Sequence, residues 1–451
     1  MKKLSILLFG AIMAIAACKP KPEAARSGPS PHVEWSRNAV IYEVNIRQYT
    51  PQGTFKAFEM ELPRLQKLGV DILWLMPVNP LGQKNRKGSL GSYYSVRDYL
   101  AVNPEYGTKQ DLTDMVEKAH ELGMKVILDW VANHTSWDNP LITKHPEWYK
   151  KDSTGKIVPP VADWSDVAAL DYNQPALREY MTEALVYWIK EADIDGYRCD
   201  VAGMMPIDYW NKAVPKLRKI KPLFMLAEEE KPLMHDTAFD ATYSWDLFHA
   251  MNAVAQGKKP ATVFDSIYRE EIKKYPKDAY RMRFTSNHDE NSWNGTEFER
   301  MGEGARAFAV LSFTFPGIPL IYSGQESAMN RRLRFFDKDT IPWGNYPLES
   351  FYTKLTTLKK QHTLLNAGET GGDFIKVQTS RDQAVYAFIR RTDTDQMFVL
   401  LNFSGQTQTA KLNGTEYPGN YEEAFTGTAQ TFKKDEIVTL NPWEYRVYIR
   451  K

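Results

Sequence analysis

The sequence predicts a TIM (β/α)8 barrel with a short inserted subdomain after strand three and a C-terminal all-β sandwich domain. Three features of the 451 residues predict it. Apolar strand-like runs alternate with amphipathic helix-like stretches at the spacing of parallel strands joined by crossover helices. Eight such strands occur, which suggests a closed barrel, although a doubly wound sheet with extra strands has the same periodicity. After residue 362 the rhythm changes to short alternating strands with Gly, Asn and Thr turns, the pattern of a separate all-β unit.

The elements follow in order. Residues 1–17 place two lysines before an apolar run too short to span a membrane and read as a signal peptide. Ile15-Ala16-Ala17-Cys18 resembles a bacterial lipobox. That resemblance implies cleavage before Cys18, lipid on its sulfur, and an exported protein anchored to the periplasmic or cell-surface face of a bacterial membrane. Residues 18–35 then form a Pro-, Lys- and Ser-containing tether. Only Cys199 remains beyond Cys18, so the mature protein has no intramolecular disulfide to form.

The first part of the barrel, 36–134, holds candidate strands AVIYEVNI (39–46), VDILWLMPV (70–78) and MKVILDWV (124–131), with helix-like FKAFEMELPRLQKLG and DLTDMVEKAHELG between them. Residues 135–172 are irregular and contain Trp137, Trp148 and Trp164, so they form an inserted subdomain on the loop after strand three. The tryptophans suit either packing within that subdomain or stacking on apolar sugar faces. The second barrel part, 173–362, supplies DGYRCDV (195–201), PLFMLAE (222–228), FDATYSW (239–245), YRMRFTSN (280–287) and IPLIYSG (318–324). The C-terminal domain spans 363–451, with strands such as QAVYAFIRR and QMFVLLNFS.

Composition narrows the function classes. The formal net charge is +1, so nothing draws the chain to nucleic acid. The 12 Trp and 24 Tyr suit a ligand with flat apolar faces and many hydroxyls, or a large core.

Charge inside strands is the sharper signal. In DGYRCDVA (195–202), alternation puts Arg198 and Asp200 on one face and Tyr197, Cys199 and Val201 on the other. A buried charge pair is expensive, so the two either satisfy each other or face a site where charge is used. Cys199 points away and reads as a small core residue. Strand three ends in Asp129 and runs on to Asn133 and His134; strand five ends at Glu228; strand seven ends at Asn287, His288 and Asp289. The carboxyl ends of parallel barrel strands converge on one mouth, where carboxylates, an arginine and two histidines form a constellation fit for catalysis.

DWVANH (129–134), GYRCD (196–200), LAEE (226–229) and FTSNHD (284–289) are similar, in order and spacing, to the four motifs of the α-amylase family of glycoside hydrolases. GSYYSVRDYLAVNPEYGT (91–108), LDYNQP (170–175) and PLIYSGQE (319–326) also resemble family sequences. The resemblance implies that Asp200 is the nucleophile, Glu228 the general acid/base and Asp289 the third carboxylate, which steadies the distorted sugar. Arg198 matches the arginine that keeps the nucleophile ionised, which it would do by favouring the Asp200 carboxylate. Tyr94, His134 and His288 fall at contacts to the sugar at the cleavage point. Burial after PLFMLA and the acidic neighbours Glu229 and Glu230, the latter on the same strand face, are expected to raise the Glu228 pKa.

Glycosidic cleavage needs one acid to protonate the leaving oxygen and one carboxylate to attack the anomeric carbon; a retaining enzyme holds them about 5–5.5 Å apart. The reading is therefore a retaining α-glucan hydrolase cleaving α-1,4 bonds of starch-like oligosaccharides. A non-catalytic glucan-binding accessory protein, or a transferase or isomerase of the same family, stays open as the alternative. Ser92 stands where many members have His, and VAGMMP (201–206) replaces a Lys-His pair, so substrate length is left open. The chemistry requires no cofactor. Asn133 and Asp171 match positions that hold a structural calcium in many members, and members without it carry the same residue types.

Overall fold

In the computed structural model, residues 32–451 are described. The signal peptide, Cys18 and most of the tether lie outside these residues. The strands in chain order are β1 (Ile41–Val44), β2 (Ile72–Leu75), β3 (Lys125–Trp130), β4 (His134–Ser136), β5 (Val167–Ala169), β6 (Gly196–Cys199), β7 (Phe224–Ala227), β8 (Ala241–Tyr243), β9 (Tyr280–Arg283) and β10 (Ile318–Tyr322). Eight of them close a parallel barrel in the order β1, β2, β3, β6, β7, β8, β9, β10, and β10 returns to β1. β4 and β5 form a separate antiparallel pair in the inserted segment.

The alternation of side chains sorts the barrel into two cores. Ile41, Ile72, Trp74, Ile127, Phe224, Leu226, Tyr243 and Met282 fill its inside. Tyr42, Leu73, Val126, Leu128, Tyr197, Cys199 and Met225 point outward into the helix layer. Register then carries the inner set upward, with Trp74 beside Glu43, and Arg198 beside both Asp129 and Leu226. Two residues beyond Arg198 and Leu226 come Asp200 and Glu228. Strand periodicity therefore delivers the site residues to the mouth.

Local sequence stops and starts the helices as expected. Thr108 and Asp111 form a reciprocal capping box on the helix Lys109–Glu121, and Pro175 opens the helix Pro175–Ala192. Gly196 has a sterically specific role: at φ +153°, a Cβ there would sit 1.8 Å from the Phe224 carbonyl oxygen, so only glycine lets β6 approach β7. At the other end, residues 32–36 pack on the barrel. His32 stacks on Tyr280 with ring centroids 4.2 Å apart, its Nδ1 lies 2.8 Å from Asp240, and Val33 is buried.

The C-terminal domain contains β11 (Asp373–Thr379), β12 (Val385–Arg391), β13 (Gln396–Asn402), β14 (Gln408–Asn413), β15 (Gly419–Glu423), β16 (Ala429–Phe432), β17 (Ile437–Leu440) and β18 (Tyr445–Arg450). They join as one antiparallel sheet in the order β16, β15, β18, β13, β12, β11, β14, β17. That sheet curls over its own core of Phe398, Leu400, Leu412, Tyr417, Phe432 and Leu440.

Candidate active site

The strand ends surround a cavity of about 530 Å³. Asp200, Glu228 and Asp289 line it together with Tyr94 and His134, as the sequence predicted. Arg198 and His288 are buried among them.

Arg198 is the hub. Its Nη1 donates to both oxygens of Asp129, at 2.9 and 3.1 Å, and to Asp200 Oδ1 at 3.0 Å. Its Nη2 lies 2.9 Å from Glu228 Oε2 as an ion pair without hydrogen-bond alignment. One guanidinium thus touches three carboxylates. The indole of Trp74 and the hydroxyl of Tyr243 complete its surroundings, with the cation 5.0 Å from the Trp74 ring centroid.

This crowding changes the expected electrostatics of Asp200. Burial pushes the Asp200 carboxyl well above the usual carboxylate range; Arg198 pulls it down, while Glu228 and Asp129 push it further up. Burial likewise takes Asp129 up to about 6 against the pull of Arg198. Arg198 is therefore shared among three acids and not dedicated to Asp200. The acidic neighbours expected to press on Glu228 are also diverted. Glu229 pairs with Lys231 at 2.8 Å and Glu230 with Arg281 at 2.9 Å.

Glu228 is held from a second side by backbone strain. Val201, directly after Asp200, adopts φ +36° and ψ +46°, a left-handed conformation that costs a β-branched residue energy. Its amide donates to Glu228 Oε2 at 2.7 Å. The residue following Asp200 therefore positions Glu228.

His288 works through a chain of donors. Its Nδ1 lies 2.5 Å from Glu43 Oε1, and its Nε2 lies 2.9 Å from the Tyr94 hydroxyl and 3.3 Å from Asp289 Oδ2. Tyr94 in turn donates to Asp129 Oδ2 at 3.0 Å, so the ring nitrogen on that side must be a donor too. Burial alone would lower the His288 pKa, but Asp289 and Glu43 together raise it well above the usual histidine value. Burial would raise the Asp289 carboxyl, yet His288, then Arg198 and the Trp293 side chain, hold it below its usual range. His134 differs from His288. Burial, with no carboxylate partner, lowers its pKa to about 4, and it faces the cavity as a neutral imidazole beside Trp164 at 5.6 Å.

Of the three tryptophans in the insert, Trp164 alone lines the cavity. Trp148 is buried against His145 and Tyr180, and the Trp137 indole donates to the Ser165 carbonyl. Trp293, Phe335 and Phe336 form an aromatic wall that sequence reasoning missed. Trp293 was within reach, four residues after Asp289. Glu43 was missed too, although a charge inside IYEV is the same signal that exposed Arg198 in GYRC.

The calcium positions do not form a cation cage. Asn133 and Asp171 share a cavity of about 290 Å³ with Lys150, a cation. Asp171 Oδ1 already accepts from the Asn173 amide at 3.1 Å and side chain at 2.8 Å. Among the described residues no three His, Cys, Asp or Glu side chains group to hold a metal. Hard cations need about six to eight oxygens, so these residues do not fit one.

The alpha amylase catalytic domain family matches residues 40–164 and 160–264, and the alpha-amylase SusG C-terminal domain family matches residues 385–447. An α-amylase structure from Lactobacillus plantarum is 32% identical at a TM-score of 0.84, covering 92% of this chain and 100% of that one. The chain belongs to the α-amylase family of glycoside hydrolases. A maltogenic α-amylase structure from Thermotoga neapolitana is 30% identical with TM-score 0.84, over 92% of this chain and 98% of its own. The α-amylase MalA of Haloarcula japonica is 28% identical over 89% of this chain, which spans 62% of that longer relative. The family match covers the segments that carry Asp129, Arg198, Asp200 and Glu228.

Proposed function

We propose that this member of the family is a retaining α-glucan hydrolase acting on α-1,4 bonds of starch-like oligosaccharides. The observation that carries the reading is the Arg198 hub, which holds Asp200 and Glu228 on one guanidinium at the mouth of a sugar-sized cavity with aromatic walls. Relatives described as α-amylase, maltogenic α-amylase and cyclomaltodextrinase support the substrate class.

The chemistry follows from the geometry. Asp129, Asp200 and Glu228 share one cation, and the reaction uses Glu228 in its acid form and Asp200 as the carboxylate. Glu228 protonates the glycosidic oxygen as the C1–O bond breaks, and the Asp200 carboxylate bonds to C1, forming a glycosyl ester. Water then attacks C1, Glu228 takes its proton, and Asp200 is released as the carboxylate. Two inversions at C1 leave the product in the α configuration. Asp289, kept ionised by His288, steadies the positive charge that develops on the ring. Neutral His134 and cationic His288 contact the hydroxyls at the cleavage point.

Product analysis on soluble starch, pullulan, maltotriose and cyclodextrin tests this reading, with the anomer followed by NMR. The wild type should release α-anomers first, and Asp200→Asn should lose at least about 10⁴-fold in kcat. First-formed β-anomers, or an inert wild type, would overturn it.

Export and lipid attachment at Cys18 belong to the same proposal and rest on the leader sequence. Metabolic labelling with palmitate should mark the wild type and leave Cys18→Ala unlabelled; equal labelling of both would sink the anchor.

A further inference from the structure

A second cavity, of about 580 Å³, lies at the seam between the barrel and the C-terminal domain and shares no lining residue with the catalytic one. Three half-buried rings line it, Phe425, Trp443 and Tyr445, with Arg306 contributed from the barrel helix Ala305–Thr314. Both its size and its mixture of rings and polar side chains resemble those of the cavity at the barrel mouth.

Trp443 is the unusual residue. It adopts φ +55°, a left-handed conformation that a tight turn ordinarily assigns to glycine. The turn is clasped by Glu444, whose Oε2 accepts from the Asn441 amide at 2.6 Å, and by the Trp443 amide donating to the Ser404 carbonyl at 3.0 Å. The indole rests against the barrel, where a Cβ on Gly304 would come within 2.7 Å of its Cε3. Backbone strain at a bulky side chain persists only where its surroundings enforce it, and such strain concentrates at ligand clamps.

The polar groups identify the ligand class. Among the described residues the Trp443 indole N–H and the Asn441 side-chain amide have no hydrogen-bond partner, and the exposed Arg306 has no ion-pair partner. The charged lining residues balance, with Arg306 and Arg446 against Glu423 and Glu444, so the site has no preference for an anion or a cation. Apolar ring faces beside free planar donors and acceptors suit a neutral polyhydroxylated ring, whose C–H face stacks and whose hydroxyls bond at its edge.

We propose that this seam cavity is a second, non-catalytic binding site for an α-glucan chain, with Trp443 and Tyr445 as its stacking platform. It rests on the proposed α-glucan activity and adds a hold on polymer away from the carboxylates.

The test uses the whole protein in the Asp200→Asn background, measuring retardation in native gels containing soluble starch, alongside turnover of maltotriose in the active enzyme. Trp443→Gly removes the ring while giving the turn the residue its φ favours, and Thr428→Arg fills the cavity from an exposed position without touching the core. Each should weaken starch retardation about tenfold, the loss typical of one anchoring aromatic, and leave maltotriose turnover unchanged. Unaltered retardation in both variants, with maltotriose turnover intact, overturns the seam site alone. Absence of turnover on any α-glucan in the wild type would instead overturn the activity on which it rests.

Discussion

Two buried cation sites at different places in the barrel use opposite chemistry. At the mouth, Arg198 is surrounded by Asp129, Asp200 and Glu228, more negative charge than it can neutralise. At the start of β10, Lys359 is buried with carbonyls as its hydrogen-bond partners, donating to Gly317 at 2.9 Å and to Leu365, and the charge of Asp71 acts on it in its favour. Nearby Arg390 from β12 likewise donates to the carbonyls of Thr314, Leu364 and Gly372. Desolvation acts on both sites, raising the acids at the mouth and lowering the Lys359 pKa to about 7, with Arg390 adding to that fall. The difference teaches what each site is for. The mouth gathers three acids on one cation, whereas Lys359 and Arg390 act as multi-armed donors that tie loop carbonyls of the barrel to the C-terminal domain.

The comparison can be broken most severely at Arg198. Arg198→Met should abolish measurable turnover and, by leaving three acids without a cation, cost about 3–5 kcal/mol in denaturant unfolding. Retained stability with lost activity would show that the acids simply take up protons when the cation is removed.

Lys359→Met should leave turnover unchanged and cost about 1–3 kcal/mol at pH 7, because the carbonyls of Gly317 and Leu365 lose their buried donor. The sign with pH follows from its depressed pKa. Between about 7 and 10.5 the unfolded chain binds more protons than the folded one, so wild-type stability rises with pH across that window. The variant should lose that rise, and thermal melts from pH 7 to 10 would show the two diverging. Parallel melts would mean that Lys359 stays charged when folded.

The smallest effect is expected at Glu43, which reaches the site through His288. Glu43→Gln removes one of the two carboxylates that raise the His288 pKa. The alkaline limb of the kcat/KM profile should then move to lower pH. An unmoved limb would assign it to another group.

Much of this arrangement was legible beforehand. Strand periodicity alone placed Arg198 and Asp200 on one face and Cys199 on the other, and the interior set of the barrel obeys it. The ends of β3, β6, β7 and β9 announced the carboxylates because charge at the end of an apolar run has few structural uses. What escaped was whatever depends on contacts between distant segments. Trp293 and Phe335, 42 positions apart, meet only because their loops fold over the same mouth. Lys150 reaches the Asn133 and Asp171 cavity from the inserted subdomain, and no spacing rule foretells it.

The sequence by itself pointed to the barrel, its insertion and the β domain, because those follow from periodicity, while the roles of Asp200, Glu228 and Asp289 came from the resemblance to the α-amylase family. Only the tertiary structure decided how the charge of Arg198 is shared among the acids beside it. Burial and charge sharing are sums over every neighbour in space, so one arginine that looks dedicated to Asp200 along the strand is, in the folded barrel, divided among three acids.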